Sequence, residues 1–298
     1  MIERREAQDD TRPWIVVLEP TEAERAEFAA AHGVPESLLG HALDVRERPR
    51  IDQESGVTLV VLRTPRRMPA GSDVRWSTAP VSLILTATEV ITVVPEITGF
   101  VDRVRKAVGD RCVAHRVVLA HLHVAAETFL EATAEVERAI DDEEARLAQS
   151  LGNREVLELV KLMKSLVHFT SALKSLELVV ERLMKTGSIV VPEQDREALE
   201  DTLVELRQAL ETCNLERETL GATMDAFASV ISNNLNDVMK LLAAVTVILT
   251  PPLAIAGYWG MNVPLPWSRE PWAFVALLAL SVLSSFLCAL ELRRRRWL

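Results

Sequence analysis

Three groups of residues in this 298-residue chain have types suited to chemistry, and in two of them the spacing suits it as well. Steps of four and then three residues from Asp225 meet Ser229, Ser232, Asn236, Met239, Ala243, Thr246 and Thr250, one face of a helix. Above Asn236 this face is mostly small or hydroxyl-bearing, while Leu241, Leu242, Val245, Val247, Ile248 and Leu249 fill the other sides. Polar groups are costly against lipid, so such a face must look at protein or at water. A helix–helix interface and the wall of a water-filled path both satisfy that requirement. The second group is acidic: Glu127, Glu131, Glu135, Glu137, Asp141, Asp142, Glu143 and Glu144 stand against one base, Arg138. Such a block is either a solvated helix face or a surface of hard carboxylate oxygens that attracts divalent cations.

Cys112, His115, His121 and His123 have zinc-ligand chemistry. Their spacing works against a site, because His121 and His123 point to different sides of a helix and only Cys112 and His115 share one. His168, within Val167-His168-Phe169, reads as a core or interface histidine on an apolar helix face.

The elements that must hold the polar face are two apolar runs, Leu241 to about Trp259 and Trp272 to about Leu292. Each approaches the roughly 20 residues a helix needs to cross a bilayer. Lys240 precedes the first run and Arg293, Arg294, Arg295 and Arg296 follow the second, while Arg269 and Glu270 cancel in the connecting loop. Positive charge at both outer ends predicts a cytoplasmic N-terminus and C-terminus. Trp259, Trp267 and Trp272 then mark the outer interface and Trp297 the inner one. Glu291 lies one turn from the arginines and reaches the headgroups with them.

The run Asn236-Asp237-Val238-Met239-Lys240-Leu241-Leu242, then Pro251, Ala256-Gly257 and Gly260-Met261-Asn262, resembles the signature of the CorA magnesium channels of the two-transmembrane GxN superfamily. The terminal Arg-Arg-Arg-Arg-Trp-Leu resembles their basic C-terminus. The likeness is close over the last 75 residues or so and architectural before them. It implies a homopentameric funnel in the cytoplasmic membrane that passes Mg2+, with Co2+ and Ni2+ as further candidate ions. It also implies that Gly260, Met261 and Asn262 form the outer selectivity ring and that Asn236 lies at the inner mouth. Met239 and Leu242 form an apolar constriction, with Ala243, Thr246 and Thr250 lining the path above it. Asp225 matches an aspartate that binds regulatory Mg2+ between subunits, and its acidic partner is not identified by the sequence. Lys240 and Arg293–Arg296 form a basic ring at the cytoplasmic end. Trp259 stands where the family usually has Tyr or Phe, Thr250 replaces a bulkier apolar residue, and Val263–Pro271 lacks a run of acids. A zinc transporter of the ZntB type, with Zn2+ as cargo and proton coupling, shares the tripeptide and is the alternative. A non-conducting membrane-anchored scaffold is the alternative of another class.

Net charge of −10 and a pI near 5.2 argue against a nucleic-acid partner. Cys112, Cys213 and Cys288 are scattered, as suits a reducing compartment. The N-terminus lacks the apolar core of a signal peptide, so the C-terminal runs must direct membrane insertion. Residues 1–110 read as a cytoplasmic α/β domain, making the whole chain α+β followed by long helices. Within them Trp14–Leu18, Val57–Leu62, Val81–Leu85 and Val90–Val94 are strands, and Pro65–Ser77 is a loop. Thr21 and Glu24 have capping-box spacing for a helix ending at Gly33. There is no Gly-rich phosphate loop or nucleophile elbow, so no enzyme is expected. Residues 111–192 are an acidic helical hairpin. Residues 193–259 are a stalk helix continuing into the first span, with a seam through Leu199, Leu203, Leu206, Leu210, Cys213, Leu220 and Met224. An outer loop at 260–271, a second span at 272–292 and a basic tail at 293–298 complete the order.

Overall fold

Runs of β-branched residues become strands in the computed structural model, which describes residues 2–5, 13–18, 20–94, 99–109, 113–150, 153–186, 191–263, 267, 270–295 and 297. The strands are β1 (Ile2–Arg5), β2 (Trp14–Leu18), β3 (Arg50–Glu54), β4 (Val57–Arg67), β5 (Trp76–Leu85) and β6 (Val90–Val94). They form one sheet in the order β1-β2-β6-β5-β4-β3, in which only the β2–β6 pair is parallel. Two compact units divide the chain, Met1–Ala222 and Thr223–Leu298.

In the first unit, α1 (Glu22–His32) and α2 (Glu36–Leu43) cover one face of the sheet. Phe28, Leu38 and Leu39 pack there on Ile15, Leu59, Ile84 and Ile91. The capping box that opens α1 is as the spacing implies: Glu24 Oε2 accepts from Thr21 N at 2.8 Å and Thr21 Oγ1 accepts from Glu24 N at 3.4 Å. Gly33 ends the helix in the left-handed region at φ 63°. Helices α3 (Phe100–Val108), α4 (Ala114–Ser150) and α5 (Asn153–Thr186) follow, and α4 and α5 pack on the strands. Central strands covered on both faces read as near-continuous apolar runs, which is why β2, β6 and the start of β4 are conspicuous in the sequence.

Two strand readings need correction. The segment read as a loop from Pro65 to Ser77 is paired at both ends, because β4 continues to Arg67 and β5 begins at Trp76, which leaves residues 68–75 as the connection. Pro65 lies opposite Thr78 and Pro80 opposite Arg63 within this ladder. Proline costs a strand one donor, but it does not prevent an extended backbone. The polar strands β1 and β3 sit at the two ends of the sheet, and their composition gave no apolar signal.

The sheet is tied to α4 by a buried relay. Trp14 Nε1–H donates to Thr92 Oγ1 at 2.9 Å, and Thr92 Oγ1 lies 3.1 Å from His121 Nε2. His121 Nδ1 is 2.7 Å from the Val117 carbonyl, which can only accept, so Nδ1 carries the proton and Nε2 takes the threonine hydroxyl. Burial pushes the His121 pKa from 6.5 to about 4, with the Val117 carbonyl opposing. Between those values the unfolded chain binds a proton that the folded chain does not, so stability is complete above pH 6.5 and falls as pH drops towards 4. The loss should approach roughly 3 kcal/mol. Denaturant midpoints of the full chain from pH 7.5 to 4 should show this slope, and His121→Gln should flatten it.

Candidate functional site

The last long helices position the polar face. Helix α6 runs without a break from Glu193 to Trp259, and α7 spans Ala273–Arg294. In the first unit, the seam residues Leu199, Leu203, Leu206, Cys213 and Leu220 are buried, as are Thr202 and Ala209, which the heptad count passes over. Thr133 on α4 lies 3.4 Å from Cys213 Sγ, and Arg207 bonds Glu177 and Glu181 of α5 at 2.6 and 2.8 Å. This part of the seam is therefore filled by the chain's own hairpin.

In the second unit, α6 and α7 are each long and apolar enough to cross a membrane. A core helix of a soluble protein would be mostly buried, but Ala244 and Ala273 are the only described residues of these segments that are. Leu241, Leu242, Leu249, Leu253, Phe274, Val275, Leu283 and Phe286 stand exposed, an apolar surface far larger than water tolerates. The two helices are antiparallel. Ile248 meets Ser285, and Ile255, Trp259 and Gly260 share a cavity of about 510 Å3 with Glu270, Phe274 and Leu277.

Pro251 and Pro252 lie inside α6, and each removes one backbone donor. The Ile248 carbonyl is four residues before Pro252, and Ser285 Oγ donates to it at 2.9 Å. A hydroxyl on α7 thus satisfies an acceptor that α6 leaves open, as a helix crossing lipid would require. Ser285→Ala should lower resistance to unfolding in mixed micelles by about 1 kcal/mol, and Ser285→Thr should restore it.

Ala244, Ile248, Ile255 and Trp259 face α7 or are partly covered by it. At 3.6 residues per turn, Asn236, Met239, Ala243, Thr246 and Thr250 fall on the opposite side of α6. All are exposed except Ala243, which is half-buried. Thr246 Oγ1 donates to Leu242 O at 2.9 Å and Thr250 Oγ1 to Thr246 O at 2.7 Å. Each hydroxyl proton is occupied within the helix, so the oxygen lone pairs are what the face presents. The same step continues through the proline pair to Leu253, 70% exposed, and to Gly257. The sequence reading stopped at Thr250, although the count itself leads to both.

Gly260 closes α6, its N–H donating to Ala256 O at 2.9 Å. A Cβ at Gly260 would sit 3.2 Å from that same oxygen, so the position is tight for any side chain. Met261 and Asn262 are exposed, and the Asn262 side chain makes no hydrogen bond among the described residues. Residues 264–266, 268 and 269 of the loop lie outside the described set. Asp225 is exposed on α6, where its carbonyl accepts from Ser229 Oγ at 3.1 Å. Lys240 pairs with Asp237 at 3.0 Å and Arg295 with Glu291 at 2.7 Å. The antiparallel pairing brings Lys240, Arg293 and Arg294 to one end of the two helices, and Arg296 lies outside the described residues.

The histidines do not converge. His115 Nε2 meets Asp195 at 2.8 Å, His121 sits in the relay, and His123 stands between Glu127 at 3.6 Å and Glu205 at 3.3 Å. Cys112 lies outside the described residues, among which no group of three or more acidic, histidine or cysteine side chains is arranged to hold a metal. His168 is exposed beside fully buried Phe169, so the core reading of it fails. The acidic block is divided. Arg103 bonds Glu127 at 3.2 Å and Glu131 at 2.9 Å, and its hydrogen bond holds the Glu131 carboxyl below the usual range. Glu143 is buried on Arg75, while Glu135, Glu137, Asp141 and Asp142 face solvent.

Fold and site together define an α/β domain with a helical hairpin, followed in the chain by a long helix whose end is the first of two candidate membrane spans. The chain belongs to the CorA family: residues 9–294 match the model of the CorA-like Mg2+ transporter protein. It is 25% identical over 293 residues to the cobalt/magnesium transport protein CorA of Methanocaldococcus jannaschii, covering 96% of this chain and 91% of that one. The complete structure of the CorA magnesium transporter from that organism superposes with a TM-score of 0.85 at 22% identity, over 99% of this chain and 94% of the other. The ZntB cytoplasmic domain from Vibrio parahaemolyticus superposes with a TM-score of 0.62 at 10% identity, over 75% of this chain and 89% of that one, a likeness of fold alone.

Proposed function

We propose that this chain assembles around an axis, as a homopentamer, and conducts hydrated Mg2+ across the cytoplasmic membrane with both termini inside. The observation that supports this best is the face of exposed neutral oxygens on α6. It lies opposite the partner span and leads to Gly260-Met261-Asn262. Magnesium dehydrates reluctantly, so a path for it serves best by accepting hydrogen bonds from its water shell. The Asn262 amide oxygens and the Gly260 carbonyls, with Met261 in support, do this at the outer mouth. Thr250 and Thr246 do it along the wall, and Asn236 at the inner mouth.

Met239 and Leu242 form the apolar constriction that gates by dewetting, and Leu253 places a second apolar ring one turn above Thr250. Asp225 binds regulatory Mg2+ against an acid of a neighbouring copy, so replete cytoplasm holds the path shut. Lys240 and Arg293–Arg296 anchor the inner interface on anionic headgroups and fix orientation. Cobalt, named with magnesium for the relative, is the next cargo ion. Apart from the Met239 thioether the polar face carries no soft ligand, and it has no thiolate or imidazole at all, which favours magnesium over zinc.

The test is uptake into proteoliposomes of Mg2+, Co2+ and Zn2+, with and without a pH gradient, alongside chemical cross-linking in mild detergent. Magnesium uptake indifferent to the gradient, from a pentameric species, is expected. Zinc uptake driven by the gradient would move the chain to the ZntB type, and a monomer without flux would leave a membrane-anchored scaffold.

A further inference from the structure

We infer that the first unit carries a second binding site, for a soluble metal-chelated polyphosphate, in the cavity between the β4–β5 turn and the α4–α5 hairpin. The cavity measures about 580 Å3, within the range of sites for small metabolites. Its floor is a closed ionic net: Arg75 bonds Glu143 at 2.6 Å and Glu158 at 3.1 Å, and Lys161 bonds Glu158 at 2.9 Å. Glu143 is 4% exposed, so the net is anchored in the protein.

Above this floor the wall is not self-satisfied. Arg67 and Arg154 line the cavity, and so do Glu135 and Glu155, yet none of the four makes an ion pair or side-chain hydrogen bond among the described residues. Two unpartnered guanidinium groups and two unpartnered carboxylates share one concave space. A bare anion would be repelled by the carboxylates and a bare cation by the arginines, whereas a chelate carrying both charges meets both. Planar guanidinium forks match phosphate oxygens two at a time. A divalent ion held on the phosphates keeps most of its waters, and carboxylates accept hydrogen bonds from that shell. The site is separate from the conduction reading and does not rest on it.

The probe is inorganic pyrophosphate, titrated calorimetrically into the full-length protein in detergent, with Mg2+ present or removed by chelator, and with Mg2+ alone as the blank. Saturable binding that needs Mg2+ is expected. Arg67→Ala with Arg154→Ala should weaken it at least about tenfold. Glu135→Gln with Glu155→Gln should remove its dependence on Mg2+. All four positions are exposed or half-buried, so both double variants should unfold at the wild-type temperature, separating lost binding from lost folding. The proposal is overturned if wild type shows no binding, if pyrophosphate binds equally well with Mg2+ removed, or if the arginine pair can be deleted without effect.

Discussion

Replacing Asn262 by alanine should cut magnesium uptake into proteoliposomes by about tenfold or more while leaving assembly and unfolding temperature unchanged. The second half of that expectation gives the first its force. Asn262 is exposed in the chain and makes no side-chain hydrogen bond among the described residues, so its removal breaks no contact within the subunit. A loss of flux then reports on the ion. Hydrogen bonds involving a charged partner are worth about 1.5–3 kcal/mol, and several such oxygens around an axis act on one hydration shell. Losing even one such increment from the rate-limiting step corresponds to about tenfold. Asn262→Asp separates the roles further: a ring of carboxylates should bind the ion more tightly and release it more slowly, raising apparent affinity while lowering maximal flux. Unchanged flux and selectivity in Asn262→Ala would remove the tripeptide from the conduction path.

The same residues show what a sequence can and cannot disclose. The candidate spans, the polar face and the tripeptide are legible because each is local: an apolar run, a helical step, three adjacent letters. The face even extends beyond Thr250 to Leu253 by the same count, and only the proline pair obscures it. What does not appear is any partnership between distant elements. Nothing near Ser285 announces that it will close the Ile248 carbonyl, although the pair Pro251-Pro252 announces that some donor is needed. The acidic block misleads for the same reason, since Arg103 on α3 neutralises Glu127 and Glu131 from 24 and 28 residues away, and Arg75 in the β4–β5 turn neutralises Glu143 from 68 residues away. His121 and His123 illustrate the limit on single residues. They are two apart, yet one lies in the core with a strongly lowered pKa and the other stands between two carboxylates at the surface. Helical periodicity separates their directions but does not say what each will meet.

A second large effect is expected where hairpin and sheet share one aromatic core. Phe169 on α5 is fully buried, with its ring 5.5 Å from Phe129 of α4 and 6.1 Å from Trp76 of β5, edge to face in both cases. It therefore joins three elements, and the Ser165 hydroxyl one turn earlier accepts from Trp76 N at 3.0 Å at the same joint. Phe169→Ala should cost about 3–5 kcal/mol, the sum of lost burial and of a cavity that rigid neighbours cannot collapse. The two edge-to-face pairs contribute about 0.5–1.5 kcal/mol each within that loss. Phe169→Leu, which keeps most of the volume and loses only the ring geometry, should retain well over half of the difference. His168→Ala, one residue away but exposed, should change stability by less than about 0.5 kcal/mol. Thermal unfolding of the full-length protein checks all three variants. Because Phe169 belongs to the first unit and the polar face to the second, magnesium flux at temperatures well below the transition should be retained in Phe169→Ala. Loss of flux there, without loss of fold, would instead show that the packing of this core feeds directly into the conducting state.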